Sequence, residues 1–194
     1  TGTQSFYAAL DGTKAVVHGV SVSPVDIVQP NVAVLNGGAA YILAPFGTFA
    51  ADVMGAESAA LIYSEETQSE AAAGQAAAFE ALGIPIEVVS FPSSAPDLTV
   101  PLLAAGAPDA DVVMPVITTG ECVRFAEAQR QLGIPDEKVL ASPVCLSPST
   151  IEGLGNFPFW NYGITSSLGS DATDPSVPPY QAILTEQGQE ALIP

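Results

Sequence analysis

One unit occurs twice in the chain, fifty positions apart, and it limits the fold more than any other feature. In the first copy the apolar run Ala59 to Tyr63 precedes Thr67-Gln68-Ser69-Glu70, a capping-box pattern in which hydroxyl and carboxylate satisfy free amides of a helix's first turn. Ala72, Ala76 and Phe79 then fall on one helical face, and Gly83 with Pro85 behind it marks the stop. In the second copy Asp111 to Ile117 is the strand, Thr118-Thr119-Gly120-Glu121 the capping box, and Phe125, Ala128 and Leu132 the apolar stripe. Leu132-Gly133-Ile134-Pro135 repeats Leu82-Gly83-Ile84-Pro85. After each stop a further short apolar run follows, Ile86 to Phe91 and Lys138 to Ala141. Strands alternating with helices of about 15 residues predict crossover connections and a parallel sheet covered on both faces, an α/β architecture in three αβα layers.

Further elements complete the pattern. Asp97 to Ala105 is a shorter helix, and Ala39 to Met54 a longer one whose small residues suit close packing on the sheet. Short strands are expected at Ala15–Gly19, Val32–Leu35 and Asn161–Thr165, with a terminal helix near Pro179–Leu192. Residues 1–35 read as the tail of another module, since Val16 to Ser23 alternates like an edge strand and Pro24 and Pro30 interrupt it. Three segments are therefore expected: residues 1–35, an α/β core over 36–165, and a C-terminal segment over 166–194. The chain reads as cut at both ends.

Charge excludes several functions. Four Lys and Arg stand against 21 Asp and Glu, a formal charge of -17, which leaves no basic surface for a phosphate backbone or an anionic bilayer. The most apolar window, Gly37 to Gly55, contains Pro45 and Asp52 and falls short of the roughly 20 apolar residues of a membrane span. Acids such as Glu65, Glu66, Asp109 and Asp111 read as solvated loop groups rather than metal ligands. The single histidine, His18, lies in the segment least like a core, and no nucleophile elbow, phosphate loop or dinucleotide fingerprint is present. Enzymatic activity is therefore not expected, nor any cofactor. Trp160, within Phe157-Pro158-Phe159-Trp160-Asn161-Tyr162, is expected in the core rather than as the wall of a ligand site.

In an open parallel sheet, ligands bind beyond the carboxyl ends of the strands, where helix N-termini and variable loops gather. Ser64 to Gln68, Thr118 to Glu121 and Pro143 to Leu146 each follow a strand, so their polar groups should converge on one rim. Thr67 and Thr118 can each be a helix cap, a ligand contact or both, because capping through lone pairs would leave the hydroxyl donor free. Cys122 and Cys145 fall just beyond the ends of two strands expected to be neighbours, at a spacing a disulfide can bridge. Two unpaired buried thiols are the alternative.

The order of these segments resembles the second lobe of the type I periplasmic binding proteins, in particular the branched-chain amino-acid (Leu/Ile/Val) receptor family of ABC importers. The resemblance is carried from about Asn31 to Leu146 by Ala59 to Thr67, the Ala-rich helix, the two Leu-Gly-Ile-Pro stops, Ala95 to Thr99, Ala105 to Val113, and Phe125 to Gly133. It implies two α/β lobes that close over a solute, with residues 1–35 ending the first lobe or its hinge and residues 166–194 returning towards it. The opening of that first lobe has no counterpart here, so the chain alone is expected to bind poorly. Carried over by position, the second-lobe contacts fall at Gln68, Thr118, Thr119 and Val144. Amino-acid receptors often place a carboxylate where Val144 stands, and its absence argues for a neutral, aromatic or carboxylate-bearing solute. The resemblance further implies a permease partner, a periplasmic or extracellular location and a lipid anchor. A ligand-sensing domain of a receptor is the alternative use of the same fold.

Overall fold

The computed structural model describes residues 9–10, 14–18, 30–34, 45–163, 175 and 177–188. By contacts the chain divides into two compact units, residues 1–163 and residues 164–194. The first holds strands β1 (Val16–His18), β2 (Val32–Val34), β3 (Ala59–Ser64), β4 (Ile86–Phe91), β5 (Val112–Val116), β6 (Leu140–Ala141) and β7 (Asn161–Tyr162). Its helices are α1 (residues 45–54, ending in the π-turn Ala50–Met54), α2 (Glu65–Ala81), α3 (Thr99–Ala104), α4 (Cys122–Gln131) and α5 (Pro148–Leu154). In the second unit the described helix is α6 (Val177–Glu186). Residues 19, 35, 39–44, 164–165 and 189–192, included in elements expected from sequence, lie outside the described residues.

All described strand pairs are parallel. The central sheet runs β4-β3-β5; β6 adjoins β5 through a parallel bridge between Val113 and Val139, and β7 pairs with β6. Side chains alternate across β3, sending Ala60 and Ile62 to one face and Ala59 and Leu61 to the other. Helices α3 and α4 cover the first face with Leu98, Leu102 and Phe125; α1 and α2 cover the second with Phe46, Ala72 and Phe79. Three layers result, as the repeated unit requires.

The shared Leu-Gly-Ile-Pro segment has the same geometry in both copies. After α2, Ile84 N donates to Phe79 O and Gly83 N to Glu80 O; after α4, Ile134 N donates to Gln129 O and Gly133 N to Arg130 O. Both are Schellman stops, and Gly83 (φ 77°) and Gly133 (φ 68°) occupy the left-handed position that disfavours a side chain. Buried Ile84 and Ile134 then return the chain to the sheet.

Trp160 is 5% exposed and stands edge-on to Phe125 at 5.1 Å, a core position as expected. Its indole N–H donates to Gln129 Oε1 at 2.8 Å, while Gln129 Nε2 donates to Ile134 O and Asp136 Oδ1. Tyr162 packs beside it, and burial, reinforced by the negative charge of Asp136, pushes its phenol up to about 12. Asp111 is exposed but not idle: it accepts from the Glu57 amide and the Ser58 hydroxyl, and these bonds hold its carboxyl below the usual range. Helix α5 was not expected. It has a Ser147 cap, Pro148 in its first turn and Gly155 (φ 82°) at its end, and Gly153 within it lies so close to Val123 that an added Cβ would stand 2.6 Å from Val123 Cγ2.

Two glycine substitutions should act oppositely. Gly83→Ala forces a methyl into a left-handed turn and should destabilise by about 1–2 kcal/mol. Gly74→Ala, at an exposed site of α2 where an added Cβ meets nothing within 4 Å, should stabilise by about 0.5–1 kcal/mol. Urea denaturation midpoints measure both.

Candidate functional site

Because the strands are parallel, the turns leaving β3, β5 and β6 emerge on the same edge of the sheet. Ser64 ends β3, Ile117 to Gly120 follow β5, and the 3₁₀ turn Pro143–Cys145 follows β6. Four sets of contacts tie these turns to one another and to the loop after β4, and all of them involve residues 118–124.

The first is centred on Glu121. Its side chain is 2% exposed, a costly position for a carboxyl group unless donors surround it. Oε1 accepts the Ser64 hydroxyl at 2.8 Å; Oε2 accepts the Thr118 amide at 2.7 Å and the Thr118 hydroxyl at 3.0 Å. Thr118 and Glu121 form the reciprocal capping box that the sequence predicts, over the 3₁₀ turn Thr119–Glu121 that leads into α4. The second is the Cys122–Cys145 disulfide, with an S–S distance of 2.02 Å and α-carbons 5.5 Å apart, which ties the start of α4 to the turn after β6. The expected bridge is present. The third is the Thr119 hydroxyl, which donates to Val144 O over a long 3.3 Å. In the fourth, the Arg124 guanidinium donates to Ala95 O and Ser93 O in the loop after β4.

The first copy of the repeated unit differs from its expected form. Helix α2 starts at Glu65, so Thr67 lies inside the helix rather than before it. Ser64 holds the N-cap position yet makes no side-chain cap; its hydroxyl goes to Glu121 instead. Glu65, an acid in the first turn, suits the positive end of the helix dipole and favours the earlier start.

Of the four expected contact positions, three meet on this edge. Thr118 is half-buried, Thr119 is exposed, and Val144 is 38% exposed with its carbonyl turned to Thr119. Gln68 stands by its backbone in the first turn of α2, after β3; its side chain lies outside the described residues. Sequence reasoning places Ser64 and Glu121 on this rim, with Glu121 legible as a cap, but misses the bond between them. The Thr118 donor is also not free: it is directed at Glu121. The opposite edge carries a shallow depression lined by Ser58, Pro85, Glu87, Gly106 and Asp109, in which no buried polar group is left without a partner. Among the described residues no His, Cys, Asp and Glu cluster could hold a metal ion, and no helix is long and apolar enough to cross a membrane.

The chain matches the family described as periplasmic binding protein over residues 4–184. It is similar in structure to a leucine-binding protein, LivK, from Thermotoga maritima (TM-score 0.73, 20% identity, covering 89% of this chain and 50% of that one). It is also similar to a type 1 periplasmic binding protein from Bordetella pertussis (0.73, 16%, covering 94% and 51%). A third likeness is to a fatty-acid ABC transporter substrate-binding protein from Thermomonospora curvata (0.61, 14%, covering 84% and 43%). The chain thus spans about half the length of these proteins. No curated protein matches the sequence.

Removing the disulfide should show how strongly the edge is held. For a sequence separation of 23, Cys122→Ala with Cys145→Ala should cost about 3 kcal/mol in the chain-entropy view, and thiol titration of the denatured, unreduced wild-type protein should find no free sulfhydryl. Two titratable thiols would contradict the assignment.

Proposed function

Since the chain belongs to the periplasmic binding protein family, in its type I, branched-chain amino-acid receptor-like form, we propose that it supplies the second-lobe half of the clamp of an ABC importer's solute-binding component. The observation that carries this reading is the gathering of the turns after β3, β5 and β6 on one edge, held by the disulfide and by Glu121. A rigid edge lined with hydroxyls and carbonyls binds a small molecule without transforming it. Thr118, Thr119 and Val144 offer contact groups.

In this reading residues 1–35 end the first lobe or its hinge, residues 36–165 are the second lobe, and residues 166–194 return towards the first. The solute, an amino-acid-like molecule, an amide, or an aromatic or carboxylate-bearing compound, is held between the lobes and handed to a membrane permease. The protein works outside the cytoplasm, in the periplasm or at the cell surface on a lipid anchor. The formal charge of -17 suits a dissolved receptor that stays apart from other copies of itself.

A thermal-shift screen of the full-length gene product against amino acids, amides, aromatic acids and short carboxylates tests the proposal. We expect a hit with no turnover of the solute, weakened by about 1–2 kcal/mol when Thr118→Val and Thr119→Val are combined. Chemical conversion of the hit, or an unaltered affinity in the double variant, would contradict it.

A further inference from the structure

A threonine hydroxyl has one proton to give, and where that proton points decides what the group can recognise. At Thr118 it points to Glu121 Oε2, the same oxygen that takes the Thr118 amide. To donate outward instead, Thr118 would have to strip a donor from a carboxyl group that is 2% exposed. Arg124, one turn along, spends its guanidinium on the carbonyls of Ala95 and Ser93. Leaving a buried carboxyl oxygen short of a donor costs more than a neutral bond to a solute returns. The Glu121 amide donates to the Thr118 carbonyl at 3.0 Å, so the hydroxyl keeps lone-pair capacity for a ligand.

We infer that Glu121 is a positioning residue that fixes the Thr118 hydroxyl as an acceptor, so that the solute group seated on it is a hydrogen-bond donor: an amide N–H, a hydroxyl or an ammonium. The inference rests on the solute-binding reading above and narrows it. A carboxylate-bearing solute directs its carboxylate away from Thr118, and an amide is preferred to an ester of the same shape. Thr119, whose bond to Val144 O is long, is held less firmly in the same sense.

Calorimetry of the full-length gene product with matched pairs tests this: isovaleramide with methyl isovalerate, benzamide with methyl benzoate, and leucine with 4-methylpentanoate. In at least one pair the donor-bearing member should bind tenfold or more tightly than its mate. Thr118→Val should bring that ratio close to one, whereas Thr118→Ser should keep it. Glu121→Gln should keep it as well, because an amide oxygen in the place of Oε2 still accepts from the Thr118 N–H and hydroxyl while the amide N–H₂ meets Ser64. If Glu121 merely supported the fold, Glu121→Gln would weaken both members alike and Thr118→Val would leave the ratio as it was. Equal or reversed preference in the wild-type protein overturns the inference and leaves the solute-binding reading intact. Binding of no member of any pair overturns both.

Discussion

A carboxyl group at the end of a sheet, shut off from water, must be surrounded by donors, and the rest of this edge is arranged around meeting that need. Glu121 meets it with the Ser64 hydroxyl from the end of β3 and with two groups of Thr118 after β5. The requirement acts as a constraint on position: neither turn can drift without leaving charge or donors unpaired in the interior. One residue further on, Cys122 extends the constraint covalently to the turn after β6, and Arg124 extends it to the loop after β4. Seven consecutive residues, 118–124, thus hold four strand ends together.

The two edges of the sheet are built for different tasks. The Schellman stops after α2 and α4 return the chain to β4 and towards β6, and the same edge carries the Asp111–Ser58 bonds and the Lys138 bond to Ala110 O. The Schellman bonds are local, while the Asp111–Ser58 and Lys138–Ala110 bonds span 53 and 28 positions. The opposite edge adds a disulfide and a buried carboxyl group to its long-range contacts and exposes the groups that the turns can spare. A receptor lobe needs this asymmetry, since a clamp half must keep its contact groups in place while it waits for the solute and for the other lobe.

Much of this was legible in the sequence, for physical reasons that differ from element to element. Gly83 and Gly133 announce helix ends because left-handed backbone favours a residue without Cβ, and the shared Leu-Gly-Ile-Pro revealed the repeat. Thr118 and Glu121 announce the start of α4 because both partners of a capping box lie within one turn. The cysteine pair was readable once β5 and β6 were taken as parallel neighbours. Signals for α5 were present as well, in Ser147-Pro148 and Gly155, and were missed. What could not be read was non-local. Ser64 meets Glu121 across 57 positions and Trp160 meets Gln129 across 31, and no local pattern specifies such partners. That Ser64 contact also leaves α2, which starts ahead of the expected Thr67 box, without a side-chain cap, and the direction of the Thr118 proton became evident only with Glu121 in place.

Hydrogen exchange of the full-length protein, with and without a saturating solute, tests the central claim most directly. Slowed exchange confined within this chain to the amides of Ser64–Glu65, Thr118–Glu121 and Val144–Cys145 is the predicted result. Protection gathered instead around Ser58, Glu87 and Asp109, on the opposite edge, would contradict it.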